Sequence, residues 1–141
     1  MTDEKQRRID LTKLPNGQYQ ATNARGGTLV FGRGGDEGAF TPVELLLTAI
    51  AGCSAIDVDM ITSKRAEPTR FEIRMEADKI RDEKGNRLVD LVLSFDIAFA
   101  DDEGGRAAGS VLPRAVQQSH DRLCTVSRTV EVGTPVETRI R

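Results

Sequence analysis

The sequence has few of the side chains that carry most protein redox and metal chemistry. It contains no tryptophan, one histidine and two cysteines among 141 residues. So few soft ligands exclude a disulfide-dense secreted scaffold, a Cys-rich or His-rich zinc site and a haem held by two histidines. We therefore expect neither a metal nor a cofactor, and any side-chain chemistry must draw on a small number of reactive groups.

An excess of one sign of charge is also missing. Twenty basic and 22 acidic residues give a net charge of -2, and the pI is near 5.5. Since no strong positive field is available to hold phosphate backbones, we expect no nucleic-acid partner. The hydrophobic share of 38% and the charged share of 30% are typical of a soluble globular protein. The length predicts a single domain over 1–141, with a loose charged segment at 1–8.

Long hydrophobic runs and targeting signals are scarce too. The longest apolar stretch, 45–58, is interrupted by polar residues and falls short of the roughly 20 residues that cross a bilayer. The first ten residues, MTDEKQRRID, alternate in charge and lack the apolar segment of a secretory signal. We therefore expect a cytoplasmic protein without membrane contact, where thiols stay reduced at rest and are more often chemical than structural.

The first forty residues have the pattern of short strands. Strands are predicted at 9–11, 19–22 and 28–31, separated by turn residues. The glycine-rich segment 32–38 lacks the GK[ST] of a phosphate-binding loop, so we interpret it as a connector.

A helix start follows this connector. Thr41 is the predicted N-cap, Pro42 the first helical residue, and Glu44 the glutamate three residues after the cap. The helix is predicted to run to about residue 64 or 65. It is apolar almost all the way round as far as Ile56, so it must be buried on most sides.

The second half of the chain adds a hairpin, a helix and two short strands. Alternation at 71–77 and 91–99, around a turn at 82–86, predicts an antiparallel hairpin with one solvated face. Pro113 suits the first turn of a helix to about residue 122 or 123. Strands at 126–132 and 136–140 complete an α+β arrangement. The first helix is so apolar that one small sheet cannot bury its whole surface. This favours a partner subunit that buries the rest.

The two cysteines are the main candidates for chemistry. Cys53 lies midway along the apolar helix, where a free cysteine is more often a small packing residue than a reactive one. Its neighbours Gly52, Ser54 and Ala55 are small and leave room beside the sulfur. Cys124 lies 71 residues later, just past the predicted second helix. If folding brings the sulfurs together, they form a peroxide-reducing couple, in which one thiolate becomes a sulfenic acid and the other condenses with it to a disulfide.

Three segments together resemble the OsmC/Ohr family of osmotically inducible and organic hydroperoxide resistance proteins. They are TPVELLL (41–47), AGCSAID (51–57) and SHDRLCTVSRT (119–129). The combination is specific: a PxELL helix start, a cysteine nine residues after its glutamate, a hairpin, and a late helix ending in SHxxxC. The resemblance covers the chain from about residue 19 to its end.

The resemblance implies both a fold and an activity. The fold is α+β and OsmC-like, with antiparallel sheets wrapped round a long buried central helix in an intertwined homodimer that has two active sites at its interface. The activity is thiol-dependent reduction of hydroperoxides in defence against oxidative stress. Cys53 would be the peroxidatic residue and Cys124 the resolving residue.

In the peroxidase branches of the family, an arginine and a glutamate polarise the reactive thiolate. The segment ATNARGG (21–27) resembles the family's ATGGRxG, which assigns Arg25 to the first role, with Arg33 as a second candidate. A guanidinium can bridge a thiolate and a carboxylate, but a solvated loop arginine is the equal alternative. Asp57 and His120 lie four residues from Cys53 and Cys124, and a structural role is the default for both.

Glu44 is the candidate for the polarising carboxylate, but it departs from the pattern. The family glutamate stands ten residues before the cysteine, where this chain has Val43. One residue is about 100° of rotation on a helix, so Glu44 need not point where that carboxylate points, and the capping box explains it without catalysis. The family's Cys-Pro is also replaced by Cys124-Thr125. Both departures indicate a less-studied OsmC-like subgroup.

Two functions are consistent with these residues. The first is a homodimeric, cysteine-based hydroperoxide reductase, with a pocket lined by Leu46, Leu47 and Ile50 for apolar peroxides. Its external reductant would be a lipoyl protein, thioredoxin or a small thiol. The alternative is a non-enzymatic OsmC-like dimer that binds a small apolar ligand or has another stress role, with both cysteines merely packed, and the shifted glutamate favours it.

Overall fold

The computed structural model describes residues 5–34 and 38–141, in two compact units that divide between residues 46 and 47. The predicted loose segment 1–8 and the connector 32–38 therefore lie partly outside the described residues. The single domain over 1–141 stays a prediction.

The three short strands predicted in the first forty residues are present, and they form a three-stranded antiparallel sheet in the first unit. Its strands are β1 (Ile9–Lys13), β2 (Tyr19–Asn23) and β3 (Thr28–Phe31), in the order β1-β2-β3. Gly26, at φ 89°, turns the chain between β2 and β3, a left-handed conformation that glycine adopts without steric cost. The Asn23 side chain accepts hydrogen bonds from the amides of Arg25 and Gly27 and fixes this turn.

Helix α1 (Pro42–Thr62) begins where the sequence predicts. The Thr41 amide donates to Glu44 Oε1 at 2.9 Å, and the Glu44 amide donates to Thr41 Oγ1 at 3.3 Å. This is the predicted capping box, which satisfies two amides that have no partner within the helix.

The prediction that α1 is buried on most sides is wrong for the single chain. Its buried residues follow one stripe at every fourth position: Ile50, Ser54, Val58 and Thr62. Ile56 and Met60 are 62% and 64% exposed. With 21 residues, α1 is also long and apolar enough to cross a membrane by length and composition, contrary to our estimate from the shorter run 45–58. The core helix of a soluble protein meets the same test, and the absence of membrane contact stays a prediction.

The predicted hairpin is present and longer than expected. Strands β4 (Arg70–Asp82) and β5 (Gly85–Ala98) pair antiparallel, with a register shift between Glu76 and Asp78. Along β4, half-buried apolar side chains alternate with exposed charged ones, which confirms the solvated face. The turn is tighter than the predicted 82–86 because Asp82 Oδ1 accepts the amides of Lys84 and Gly85.

The second helix starts ten residues before the predicted position. Helix α2 (Glu103–Gln118) is capped by Asp102, whose side chain accepts the Gly105 amide at 2.7 Å, and Pro113 lies inside it. It continues as a π-helical turn (Ser119–Leu123). The glycines at its start hid the helix from sequence patterns, because glycine is an unfavourable helix residue.

The two predicted C-terminal strands are wrong. Residues Thr125–Glu131 form a short helix, α3, with Cys124 as its N-cap. Residues 134–141 have no regular structure, and Val136 and Ile140 are fully or almost fully exposed. The β-branched residues that suggested strands here thus lie partly in a helix and partly in exposed chain.

Candidate active site

Folding brings the two cysteines together in the second unit. Cys53 lies on the buried side of α1, and Cys124 ends the π-helical turn that follows α2. Both are free thiols, and the Cys53 thiol donates a hydrogen bond to the sulfur of Cys124. Cys53 is half-buried, whereas Cys124 is only 1% exposed. The condition for a redox couple that the sequence left open, proximity of the two sulfurs, is met.

The surroundings of Cys53 favour its neutral form. Burial raises the pKa of its thiol most strongly, and the hydrogen bond to Cys124 and the negative charge of Asp57 add to this. The backbone amide of Val126, in the first turn of α3, donates to the sulfur and acts in the opposite direction. None of these groups is a cation, so a thiolate at Cys53 requires a positive group in addition to them.

The surroundings of Cys124 favour the thiolate. Burial raises its pKa, but hydrogen bonds with the Ser127 side chain and amide, with Cys53 and with Ser54 outweigh this and lower the pKa of Cys124 below its ordinary value. In the structure, the Cys124 thiol donates to Ser127 Oγ. The Ser127 hydroxyl lies 3.3 Å from Sγ and the Ser127 amide 3.4 Å. A hydroxyl can accept from a thiol and donate to a thiolate, so Ser127 suits either state.

Asp57 has a structural partner within the same unit. Its Oδ2 accepts a hydrogen bond of 2.9 Å from the hydroxyl of Ser119, which is 1% exposed. This bond joins α1 to the end of α2 close to both cysteines. The structural role that the sequence analysis takes as the default for Asp57 agrees with this contact to Ser119.

His120 interacts with two carboxylates. Its Nδ1 lies 3.1 Å from Asp121 Oδ1 and its Nε2 lies 3.2 Å from Glu131 Oε1. Hydrogen bonds to Asp121 and Glu131 raise the pKa of the imidazole. His120 therefore links the π-helical turn to the end of α3 and holds in place the segment that contains Cys124.

A cavity of about 350 Å³ lies beside this segment. Its lining residues are Ile50, Met75, Leu91, Leu93, His120, Ser127, Val130 and Glu131. Of the three predicted pocket residues Leu46, Leu47 and Ile50, Ile50 is among those that line this cavity. Ser127 is shared by the cavity wall and the Cys124 thiol, so the cavity adjoins the cysteine pair.

The two predicted polarising residues belong to the first unit. Arg25 is exposed in the turn between β2 and β3, and it lines an open cavity together with Arg7 and Arg8. Glu44 is held in the capping box at the start of α1. The pairing of either residue with Cys53 stays a prediction.

Sequence reasoning missed the residues that set the state of Cys124. Ser127 stands three residues after Cys124, the spacing of a residue in the first turn after an N-cap. That spacing is a usable signal only once a helix is expected at 125–131, and the β-branched residues there favoured a strand. No group of three or more His, Cys, Asp or Glu side chains within the described ranges could hold a metal ion.

The sequence profile described as OsmC-like protein matches residues 34–139. This chain belongs to the OsmC family. Protein YhfA of Escherichia coli K12 is 32% identical over 104 residues, which cover 73% of this chain and 72% of YhfA. Uncharacterized protein Rv2923c of Mycobacterium tuberculosis H37Rv is 27% identical over 124 residues, which cover 87% and 88% of the two chains. Neither name states an activity, which agrees with the predicted less-studied subgroup.

Solved structures confirm the α+β OsmC-like fold. A hypothetical protein from Aquifex aeolicus superposes with a TM-score of 0.72 at 21% identity, over 92% of this chain and 90% of that chain. An organic hydroperoxide resistance protein OsmC from Legionella pneumophila gives 0.59 at 16% identity, over 92% and 91%. These likenesses establish the shared fold.

Within the OsmC family pattern, the structure explains one departure of this chain. Thr125 occupies the first position of α3, directly after the N-cap Cys124. Proline is favoured at that helical position because it needs no amide partner there. Threonine in place of the usual proline therefore leaves the helix start and the placement of Cys124 intact.

Proposed function

We propose that this OsmC family protein is a thiol-dependent peroxidase that reduces organic hydroperoxides in the cytoplasm, with Cys53 as the peroxidatic residue and Cys124 as the resolving residue. The observation that carries the proposal is the pairing of the two free thiols across 71 residues of sequence. Two thiols merely packed in a core have no need of a common hydrogen bond.

The difference in burial supports this division of roles. Half-buried Cys53 is the thiol that a peroxide can reach, whereas Cys124 is 1% exposed and accessible mainly to Cys53. A resolving thiol has to meet only the oxidised sulfur of its partner, so burial does not hinder it.

The chemistry takes two steps in this protein. The Cys53 thiolate attacks the terminal oxygen of the hydroperoxide, the O–O bond breaks, and the alkoxide leaves and takes a proton to become an alcohol. Cys53 is now a sulfenic acid. The Cys124 thiolate then attacks the Cys53 sulfur, the S–S bond forms, and hydroxide leaves and is protonated to water. An external dithiol of the lipoyl, thioredoxin or small-thiol class reduces the disulfide.

The cavity beside the cysteines suits an apolar substrate. Ile50, Met75, Leu91 and Leu93 supply most of its wall, and it adjoins Cys124 through Ser127. An alkyl or aryl group bound there gains free energy in proportion to the apolar area removed from water. Hydrogen peroxide has no such group, so the proposed enzyme prefers organic hydroperoxides.

Activation of Cys53 is assigned to Arg25 and dimer formation. Burial and Asp57 raise the pKa of Cys53, and a guanidinium beside the sulfur reverses that effect. Exposed apolar residues on α1 favour a homodimer, and dimer formation is the step expected to complete the site. In this proposal, the main role of Glu44 is the helix cap, and polarisation of the thiolate is a secondary role.

Stopped-flow oxidation with cumene hydroperoxide tests the proposal. In the wild-type protein, we expect one equivalent of peroxide to remove both thiols of each chain and leave a disulfide. Cys124→Ser should stop at a sulfenic acid on Cys53, which dimedone traps. Cys53→Ser should keep its single thiol at the same peroxide concentration. Both thiols unchanged in the wild-type protein at excess peroxide would exclude the peroxidase.

One observation favours the non-enzymatic alternative. The Cys53 pKa is raised within its own unit, so a chain without an added cation keeps a neutral, weakly nucleophilic thiol. The cavity of about 350 Å³ could then bind a small apolar ligand without chemistry. This alternative predicts saturable binding of cumyl alcohol with both thiols unreacted after peroxide treatment.

A further inference from the structure

We propose that the cavity beside the cysteine pair selects uncharged organic ligands over carboxylates, with Glu131 as the residue that determines this specificity. The inference rests on the proposed function, because it names the charge of the molecules that this site takes. It adds selection by charge to the preference for an apolar group.

The wall of the cavity has an apolar part and a polar part. Four apolar side chains of α1 and the hairpin, Ile50 among them, form the first part. The second part comes from the chain after α2 and includes His120. Ser127, Val130 and Glu131 also belong to it, and their spacing of three and four residues places them on one face of α3. Glu131 is the only carboxylate among the lining residues in the described part of the chain.

The exposure of these side chains shows which part of the wall faces solvent. The side chains of His120 and Glu131 are 60% and 58% exposed, whereas Ile50 is 5% exposed. His120 and Glu131 therefore lie at the mouth of the cavity, and Ile50 lies further in. A ligand with an apolar and a polar end is most stable with its apolar end inside, because only that end gains from leaving water. Its polar end then lies beside Glu131.

His120 offers an incoming anion no free donor. Its Nδ1 lies 3.1 Å from Asp121 Oδ1 and its Nε2 lies 3.2 Å from Glu131 Oε1, so both ring nitrogens are engaged. Even when it is protonated, one imidazole interacts with two carboxylates. Arg122 acts on Asp121, but no lysine or arginine of the described residues lines the cavity. A ligand carboxylate at the mouth would therefore lie beside Glu131 without a cation, and like charges repel.

An uncharged hydroxyl or amide group matches the same end of the cavity. Over residues 5–34 and 38–141, His120 is the only side chain hydrogen-bonded to Glu131, so Glu131 Oε2 can accept from a ligand. The Ser127 oxygen accepts from the Cys124 thiol and keeps its own hydrogen to donate. A hydroxyl or amide both donates and accepts, whereas a carboxylate only accepts. The uncharged group therefore suits both side chains.

Binding of two matched ligands tests the inference without any peroxide. Cumyl alcohol with a para carboxamide is uncharged, and cumyl alcohol with a para carboxylate is an anion of nearly the same size. At low salt and about pH 7, NMR titration of the wild-type protein should give a dissociation constant about fivefold lower for the carboxamide, as expected for like charges that solvent screens. Glu131→Gln keeps the acceptor for His120 but removes the charge, so the ratio should fall towards one. Glu137→Gln removes an exposed carboxylate near the end of the chain and should leave the ratio unchanged.

The position of the bound ligand and the reactivity of the thiols complete the test. Chemical-shift changes at the methyl groups of Leu91 and Leu93 should place the carboxamide in this cavity. If it binds there with the expected ratio while excess peroxide leaves both thiols unchanged, the peroxidase proposal fails and the selection by charge stands. If cumene hydroperoxide oxidises the thiols, its para-carboxylate derivative should react about fivefold more slowly in the wild-type protein only.

Three results would overturn the inference, whatever the outcome for the peroxidase. The first is equal affinity of the wild-type protein for both ligands. The second is a ratio that Glu131→Gln leaves unchanged, which would remove Glu131 as the determinant. The third is the absence of saturable binding of the carboxamide in this cavity at millimolar concentration.

Discussion

At the scale of single residues, this chain separates two properties that one reactive cysteine usually combines. Cys53 is accessible but carries a raised pKa, whereas Cys124 is buried but carries a lowered one. Burial is the largest cause of the raised pKa of Cys53, whereas at Cys124 the hydrogen bonds with Ser127, Cys53 and Ser54 outweigh burial. A cation next to Cys53 would lower the pKa of its thiol, and the peroxidase proposal gives this role to Arg25.

His120 gives a prediction on pH at the same scale. Its pKa is raised from the ordinary 6.5 by Asp121 and Glu131, so its contribution to stability is fully present below pH 6.5. The contribution disappears as the pH rises through the folded-state pKa. The side chain is 60% exposed, so solvent screens the pairs, and we expect at most about 1 kcal/mol.

Urea unfolding of His120→Gln against the wild-type protein measures this contribution. The difference in the free energy of unfolding should be largest near pH 5.5 and should shrink towards zero by about pH 9. His120 bonds to Glu131 in α3, so Glu131→Gln should lose part of the same pH dependence. A difference that grows with pH would contradict the assignment.

At the scale of elements, the sequence predicted those parts whose patterns are strong and local. The capping box gave the start of α1 at Pro42, and clean alternation gave the β4–β5 hairpin. The predicted start of α2 was ten residues too late because the first turns of the helix contain glycines. Glycine is an unfavourable helix residue, and the tertiary contacts that place it in a helix are not encoded in a local pattern. Helix α3 covers most of the predicted strand 126–132, where Val126, Thr129 and Val130 are β-branched, and the cap at Cys124 outweighs that preference.

The candidate site, too, was predictable only where the sequence pattern is strong and local. Both cysteines and Ile50 were found, since they lie in segments with a strong pattern. Ser127 and the Val126 amide were missed, because their roles depend on α3 being a helix. Contacts between α1 and the chain after α2 require the folded structure, so Ser54 could not be assigned from sequence.

Two glycines of α2 give a matched prediction for that helix. A Cβ on Gly105 would collide with the carbonyl oxygen of Ala100, whereas a Cβ on Gly109 would meet only Phe99 Cδ2 at 3.9 Å. We expect Gly105→Ala to lower the free energy of unfolding by about 1–3 kcal/mol through overpacking. Gly109→Ala should raise it by about 0.5–1 kcal/mol, since alanine is the better helix residue. Thermal unfolding of both variants checks the opposite signs, and a stabilised Gly105→Ala would contradict the close approach to Ala100.

At the scale of the whole molecule, the apolar surface of α1 is only partly buried. Its buried residues recur at every fourth position and lie on one face only, while Ile56 and Met60 remain mostly exposed. Val130 and Val132, after the cysteine segment, are also exposed. Scattered apolar residues are normal at a surface, but two on consecutive turns of an otherwise apolar helix are typical of a helix that packs against another chain.

This exposed face leads to a prediction about the oligomeric state. We expect analytical ultracentrifugation to give the mass of two 15.4 kDa chains at micromolar concentration. Ile56→Lys places a charge where an apolar contact is expected, and burying an unpaired charge is costly. The variant should therefore weaken the dimer at least tenfold, which corresponds to about 1.4 kcal/mol. Gln118→Lys adds the same charge at an exposed polar position of α2 and should leave the dimer unchanged. If dimer formation also completes the active site, the rate of sulfenic acid formation in Ile56→Lys should fall with dilution in parallel with the dimer fraction. A monomeric wild-type protein at all concentrations would contradict the assignment of α1 to a subunit interface.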